Sequence, residues 1–400
     1  MENSSFSFDH RLLDPEIQDY IDKKTGTDIS SLALGKNPFS GVLWADIMNQ
    51  ISAKSKAKDK LPPWYNNKGI IYPGRVPMEQ TSSETTAQYK ATIVSGEKIA
   101  DLTGGFGVDS YYFSKQVTAV TYCEQHPELA AIAAHNFIQL GAKNINSHVG
   151  DSIDLLRMQP QKYDWLYADP ARRNEAKGKV FMLRDCLPNV PDNLEEYFSY
   201  ADNILIKTSP ILDISAGISE LENVAAVHVV AVKNEVKELL YVLKKGYNSK
   251  IKVCTVNFAR DTTEKFEFTL GTDAAVRFAK PSIYLYEPNA AIMKSGAFDE
   301  VSSHFDLAKL HQHSHLYTSE NVIEFPGRVF RIDNALAYDR KSMKQFIADV
   351  RQSNITTRNF QETPESLYKK WKIKPGGNVY SFFTTDLNNN KIVLICSKIS

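Results

Sequence analysis

Cysteine is scarce in this chain. The four cysteines in 400 residues, Cys123, Cys186, Cys254 and Cys396, are widely spaced and form no Cys-x-x-Cys pair. They read as buried or reduced thiols of a cytosolic protein, not as a disulfide framework. Net charge is missing too. Lys plus Arg number 47 and Asp plus Glu 47, a formal charge of +0. No global field attracts nucleic acid, so any such attraction must come from a local patch. No apolar run reaches about 18 residues, so no transmembrane helix and no membrane partner are expected. Met1-Glu2-Asn3-Ser4-Ser5 lacks the basic start and apolar stretch of a signal peptide. There are no internal repeats and no low-complexity tracts. The expectation is a soluble, cytoplasmic protein whose oligomeric state the sequence leaves open.

Length and patterning set the organisation. Four hundred residues exceed one compact core, so two or three domains are expected. Residues 1–95 read as a largely helical region. Asp14-Pro15 starts one helix, Ile47–Lys60 forms another that Leu61-Pro62-Pro63 breaks, and Glu79–Thr92 leads into a strand. Residues 96–272 alternate strands and helices. Strands are expected at Ile99–Leu102, Val117–Glu124, Ile145–Val149, Tyr163–Ala168, Asn203–Lys207, Ala226–Val232 and Lys252–Asn257. Such alternation predicts an α/β fold with a Rossmann-like, doubly wound, seven-stranded parallel sheet. Between its strands, Pro127–Leu140 reads as a helix ended by Gly141, and Leu183–Tyr200 and Ile211–Leu221 read as largely helical. Small α+β domains follow at 273–320 and 321–400, the last closing with a hairpin turn at Leu387-Asn388-Asn389-Asn390.

The run Lys98-Ile-Ala-Asp-Leu-Thr-Gly-Gly-Phe-Gly-Val-Asp109 carries the most information. A short apolar strand ends at Asp101 and turns through Gly104, Gly105 and Gly107 into a helix. Such a turn lets the backbone approach a ligand at a helix N-terminus. Taken alone, it is equally well a tight strand-to-helix connection. The spacing is Gly-Gly-x-Gly, not Gly-x-Gly-x-x-Gly. Three further acids sit at strand ends: Glu124 after strand two, Asp151 after strand three and Asp169 after strand four. In an open α/β sheet all four line one crevice. Each has a task if the ligand is S-adenosylmethionine, which has a ribose diol, an adenine edge and a cationic aminoacyl arm but no phosphate. Glu124 would accept the ribose hydroxyls, Asp151 the adenine amine, and Asp101 would face the ammonium. Glu124 lies 20 residues after Gly104, which also fits a dinucleotide fold. Asp101 and Asp169-Pro170 have no role there.

These motifs, Asp101 to Asp109, Glu124, Gly150-Asp151 and Asp169-Pro170, resemble the motif series of class I S-adenosylmethionine-dependent methyltransferases over residues 80–260. The wider chain resembles a bacterial methyltransferase family with a ferredoxin-like segment and a C-terminal THUMP-like domain. Tyr284–Ile292, His311–Ser319, Phe325–Phe330, Arg358-Asn359-Phe360 and Lys374-Pro375-Gly376-Gly377 carry that likeness. The candidate cofactor set is Asp101, Thr103, Gly104, Gly105, Gly107, Asp109, Glu124, Gln125, Asp151, Ser152 and Asp169, with S-adenosylmethionine the implied cofactor. The candidate catalytic set is Asp169, Pro170 and Arg172.

The acceptor is read from Ala168-Asp169-Pro170-Ala171-Arg172-Arg173. Family members that methylate exocyclic base amines have Asp or Asn, Pro, Pro and an aromatic residue there. This chain keeps Asp169-Pro170 and replaces the rest, so the amine as target is in doubt. Arg172 can stack on a base or hold a phosphate, or Arg172 and Arg173 can simply pair with acids of the next helix. Lys207-Thr208-Ser209-Pro210 either lines the acceptor pocket or caps the helix at Ile211. Glu79–Glu84 either covers the methionine arm or is a capping box at Thr81 and Glu84. From Val322 to Ser400 there are 13 Lys plus Arg and 7 Asp plus Glu, a local balance of +6. Lys369, Lys370, Lys372 and Lys374 surround Trp371, a pattern that suits an RNA backbone and a stacked base or a solvated helix with Trp371 in the core. THUMP domains in related enzymes bind RNA, so the resemblance implies tRNA or rRNA. A protein or small-molecule acceptor remains open, as does a non-catalytic RNA-binding protein that retains the cofactor fold. His311, His313 and His315 alternate and would share one face of a strand, but no cysteine or acid completes a metal set and no metal is expected.

Overall fold

A computed structural model describes residues 8–74, 78–172 and 182–399. The chain divides into two compact units. Unit 1 is Met1–Ala226 with Lys237–Ser249, and unit 2 is Val227–Val236 with Lys250–Ser400. No helix among the described residues is long and apolar enough to cross a membrane.

Unit 1 opens with α1 (Pro15–Lys24), α2 (Trp44–Lys60), a short helix at Pro62–Asn66, and α3 (Glu84–Ile93). Pro15 sits at the first position of α1, where its missing N–H is no loss. On α2, Ile47, Ile51 and Ala57 repeat at helical spacing and are fully buried. Helix α3 begins at Glu84, five residues later than the polarity pattern suggests. Its capping box is Ser83 with Thr86, not Thr81 with Glu84. Thr81 donates its hydroxyl to the Met78 carbonyl instead.

The sheet strands are β1 (Lys98–Asp101), β2 (Ala119–Glu124), β3 (Ile145–Val149), β4 (Tyr163–Ala168), β5 (Ala201–Thr208), β6 (Val224–Val232) and β7 (Glu235–Lys244). Neighbours run β3-β2-β1-β4-β5-β7-β6. The first five are parallel. Strand β7 lies antiparallel to β5, with Asn203 opposite Lys244 and Thr208 opposite Leu239. The doubly wound sheet is present and Lys252–Phe258 is one of its strands, as expected, but the sheet has nine strands and is mixed, because the unforeseen strand Glu235–Lys244 enters antiparallel beside β5. A two-residue turn accounts for the difference. Lys233 and Asn234 both adopt left-handed backbone, φ +52° and +62°, which folds β6 and β7 into a hairpin. Ile99, Val120, Tyr122, Leu166, Ile204 and Leu205 are almost completely buried, as in a sheet covered on both faces. Helix α4 (Val108–Phe113) follows β1, α5 (Pro127–Gln139) packs on β2 and β3, and α6 (Ser152–Met158) follows β3. The expected helix at Leu183–Tyr200 is a 3-10 turn at Leu183–Asp185, a two-residue strand Cys186–Leu187 paired with Ala171–Arg172, and α7 (Val190–Tyr200). Helix α8 (Ile214–Glu220) starts three residues later than expected and is capped by Asp213.

Unit 2 contains the antiparallel pair β8 (Lys252–Phe258) and β9 (Thr263–Thr269). Beyond it come β10 (Tyr284–Pro288), α9 (Ala290–Ser295), α10 (Phe298–His304), β11 (Tyr317–Ser319), β12 (Gly327–Ala337), α11 (Arg340–Asp349), β13 (Asn354–Thr357), α12 (Pro364–Trp371), β14 (Val379–Thr385) and β15 (Lys391–Lys398). Strands β11-β10-β12-β15-β14-β13 are neighbours in one sheet, with two-residue strands Ala308–Lys309 and Arg277–Phe278 beyond β11. The hairpin between β14 and β15 forms as expected. Asn389 takes a left-handed conformation there, and the Asp386 carboxylate accepts the N–H groups of Asn388 and Asn390.

Candidate active site

Strands β1 to β4 are parallel neighbours, so their C-terminal ends face one edge of the sheet. The chain winds outward from β1 to β3 and then returns to β4 on the other side of β1. The crevice at that reversal is where an open α/β sheet takes its ligand.

The glycine turn fills the end of β1. Gly105 and Gly107 have φ of +55° and +83°, and Gly107 caps α4. Such backbone strains any residue with a Cβ. Gly104 is required for space instead, because a Cβ there would lie 2.2 Å from Tyr122 Cε2. Hydrogen bonds fix the loop. Gly104 N–H donates to the Cys123 carbonyl at 2.8 Å, and Tyr122 OH to the Gly105 carbonyl at 2.6 Å. Thr103 N–H donates to Asp101 Oδ1 at 3.1 Å, and Ser110 Oγ to Asp101 Oδ2 at 2.5 Å. Asp101 is therefore a buried acid under the loop. Burial, opposed by those two hydrogen bonds, pushes its carboxyl up to about 7.

The other strand-end acids follow in register. Glu124 is half-buried. Its Oε2 accepts the Gly105 N–H at 2.8 Å and its Oε1 the His126 N–H at 2.9 Å, so one carboxylate ties the glycine turn to the start of α5. Each oxygen keeps acceptor capacity. Gln125 beside it is exposed and Ser152 is buried. Asp151 caps α6 with Oδ1, which accepts the N–H groups of Ile153 and Asp154. Its Oδ2 has no protein donor among the described residues. Asp169 is half-buried and paired with Lys207 Nζ at 2.5 Å, and its N–H donates to Thr103 Oγ1 at 2.7 Å. Pro170 is buried. Arg172 lies in the two-residue strand paired with Cys186, its side chain outside the described residues. Arg173 lies outside them altogether.

Behind the crevice is a buried charge network. Lys90 of α3, fully buried, donates to Glu238 at 2.7 and 2.9 Å and lies 3.2 Å from Asp109 Oδ1. Asp109 accepts Ser82 Oγ at 2.9 Å and Tyr167 OH at 2.7 Å on Oδ2. Burial alone would raise Asp109, but the ammoniums of Lys90 and Lys207 and these two hydroxyls hold it below its usual range. Burial alone would lower Lys207, but the carboxylates of Asp169, Asp109 and Glu238 hold it well above its usual range. Three carboxylates, Asp109, Asp169 and Glu238, thus share two ammoniums, and the Asp101 carboxyl lies in the field of Asp109 and Asp169. The balance favours a cationic ligand.

Residues 284–326 match the ferredoxin-like domain family and residues 327–398 the THUMP domain-like family. A solved protein from Porphyromonas gingivalis W83, provisionally assigned as a methyltransferase, is 30% identical with a TM-score of 0.88, covering 98% of this chain and 100% of its own. The chain belongs to this methyltransferase family. No curated protein matches the chain. Two distant structures overlap it weakly. The Pyrococcus abyssi tRNA (uracil-54, C5)-methyltransferase in complex with S-adenosyl-L-homocysteine is 16% identical with a TM-score of 0.33, over 43% of this chain and 41% of its own. The Bacillus cereus O-methyltransferase in complex with SAH is 12% identical with a TM-score of 0.35, over 56% and 100%. Neither likeness is close enough to carry an argument.

Within this family's framework several sequence expectations resolve. Lys207 is not part of a helix cap, since Asp213 caps α8; it holds Asp169. Beside it, the buried Thr208 Oγ1 has no hydrogen-bond partner among the described residues. Ser82 donates to Asp109, and Glu84 accepts Tyr112 OH at 2.8 Å, so both serve packing beneath the crevice. Lys90 and Glu238 were not legible as site residues. The sequence signal is a lysine among the small residues Thr86, Ala87 and Ala91 of one helix face.

The three histidines do not share a strand face. They lie in a turn, and His315 has left-handed backbone, φ +51°. His311 is held between Asn359 and Asn389, both at 3.0 Å; a neutral ring protonated on Nε2 satisfies both. His315 stacks on Phe298. Trp371 belongs to an apolar cluster with Met343, Phe346 and Phe383, and its Nε1–H donates to Tyr338 OH at 3.3 Å. Lys370 pairs with Glu362 at 3.0 Å, while Lys369, Lys372 and Lys374 are exposed.

Proposed function

We propose that this chain is an S-adenosylmethionine-dependent methyltransferase that modifies a nucleotide of structured RNA, tRNA or rRNA. The observation that carries the cofactor reading is Glu124, fixed at the end of β2 against the Gly105 N–H with acceptor capacity to spare for a ribose diol. The donor set fits the rest of the ligand. Asp151 Oδ2 is open to an adenine amine, the glycine turn with Thr103 would hold the aminoacyl arm, and the excess of buried carboxylates suits a sulfonium where it would repel a pyrophosphate. The cofactor would supply a methyl group already activated for displacement. Lys207 holds Asp169 in place through its Oδ2, so the other carboxylate oxygen can accept a hydrogen bond that orients the substrate, and the orphan Thr208 hydroxyl offers a second polar contact on that rim. Exposed Lys369, Lys372 and Lys374 and the local surplus of +6 support RNA as substrate.

Comparing methylated nucleosides in RNA from a deletion strain and its parent by mass spectrometry tests this reading. One methylated nucleoside is expected to vanish; an unchanged profile refutes the RNA assignment. A protein or small-molecule acceptor is favoured by one observation, the packing of half-buried Trp371 against an apolar cluster, which leaves less of its ring for a base. Absence of salt-sensitive binding to bulk tRNA would select that reading.

Asp101 makes cofactor binding pH-dependent. A cation bound nearby favours the ionised carboxylate, so binding expels a proton wherever the free protein holds one, which is below about pH 7. Affinity for S-adenosylmethionine is expected to rise about tenfold from pH 6 to pH 8 by this linkage. Calorimetric titration of Asp101→Asn should show a flat profile over that range. An equal slope in both proteins would refute the role of Asp101.

A further inference from the structure

In unit 2, one buried carboxylate serves two arginines. Glu287, at the end of β10, is 3% exposed. Its Oε2 accepts Arg328 Nε at 2.7 Å and also Arg328 Nη2. Its Oε1 accepts Arg358 Nη2 at 2.9 Å and Nε at 3.3 Å. Both arginine side chains remain about one-third exposed, and the Nη1 group of each has no protein acceptor among the described residues. The triad therefore carries one uncompensated positive charge, and each guanidinium keeps unused donors.

A structural clamp would need only one arginine. Replacing the second with an apolar side chain would avoid its desolvation, because a buried ion pair contributes little beyond packing. Two further features face the same place. Asn359, the residue after Arg358, has left-handed backbone at φ +51°, and its side chain is held by His311. His315 Nδ1 is buried without a hydrogen-bond partner, and its ring lies in the field of Arg358. An orphaned buried ring nitrogen is costly unless function retains it.

We infer that Arg328 and Arg358, braced by Glu287, form a phosphate-binding site, and that the phosphate is one of an RNA backbone. Two planar guanidiniums held on the two oxygens of one carboxylate each offer the fork that suits a phosphate, which a pair of lysines would not. The choice of RNA as carrier rests on the substrate reading above; the phosphate chemistry does not.

The test uses the full chain and two probes. Inorganic phosphate, against chloride at equal ionic strength, is expected to raise the unfolding midpoint saturably. Removing both arginines would strand Glu287, so the neutral triple variant E287Q/R328Q/R358Q is compared with the wild type and should lose the response. E287Q alone removes the competing anion and should bind phosphate more tightly; a clamp predicts no gain. No saturable response in the wild type, or an equal one in the triple variant, overturns the site. With fluorescent bulk tRNA, the triple variant should bind about tenfold more weakly, and its log affinity against log salt should lose about one unit of slope. If tRNA binds both proteins equally, RNA is not the carrier although the RNA reading survives. If tRNA binds neither, the RNA reading fails and the phosphate titration alone decides the site.

Discussion

Glu124→Ala is expected to weaken S-adenosylhomocysteine binding by at least about 100-fold, the loss of two charge-assisted hydrogen bonds of about 1.5 kcal/mol or more each. The carboxylate reaches its position through two backbone donors, Gly105 N–H and His126 N–H. Both lie at the rim and can find water in the variant, so folding should survive. Isothermal titration supplies the measurement and the unfolding midpoint supplies the control. Glu124→Gln, which keeps one acceptor oxygen, should fall between the two. Binding within a few-fold of wild type in folded Glu124→Ala would remove the ribose from the end of β2, and with it the cofactor pose.

Lys90→Met should cost about 3–5 kcal/mol, because it leaves Glu238 and Asp109 buried without their cation. Urea unfolding at neutral pH measures it. Burial already raises the Glu238 carboxyl, against the pull of Lys90 and Lys207. Without Lys90 that group has more reason to take up a proton, so the deficit should shrink as pH falls. Lys90→Met with Glu238→Met removes both charges and should recover much of the loss. A deficit below about 1 kcal/mol in the single variant would mean that the pair contributes no stability.

What could be read from the sequence was local. Asp101, Gly104, Gly105 and Gly107 sit within seven residues, and Glu124, Asp151 and Asp169 each end a strand with strong β pattern, so the crevice followed from order along the chain. The hairpin of β6 and β7 did not, because Lys233-Asn234 lacks the glycine that usually marks such a turn. The start of α3 was missed because Glu79 to Ser83 has helical polarity yet bonds outward. Lys90 was invisible as a buried cation, since a mid-helix lysine ordinarily reaches water and its partner Glu238 is 148 residues away. The alternating histidines misled for the opposite reason. Their spacing has meaning only in a strand, and left-handed backbone at His315 turns the segment aside.

The excursion of the chain through Val227–Val236 has a consequence for biosynthesis. Unit 1 is discontinuous and regains the chain only at Lys237. On the ribosome, Lys90 emerges long before the carboxylate that neutralises it, and α3 cannot settle until β7 has been made and inserted beside β5. A nascent chain halted at residue 226 would hold every strand-end acid and Lys90 yet lack Glu238, the counter-ion of Lys90. One halted at 249 would hold both. Unit 1 is thus expected to complete its buried charge network in a single late step of synthesis, separated from the glycine turn by more than a hundred residues of translation.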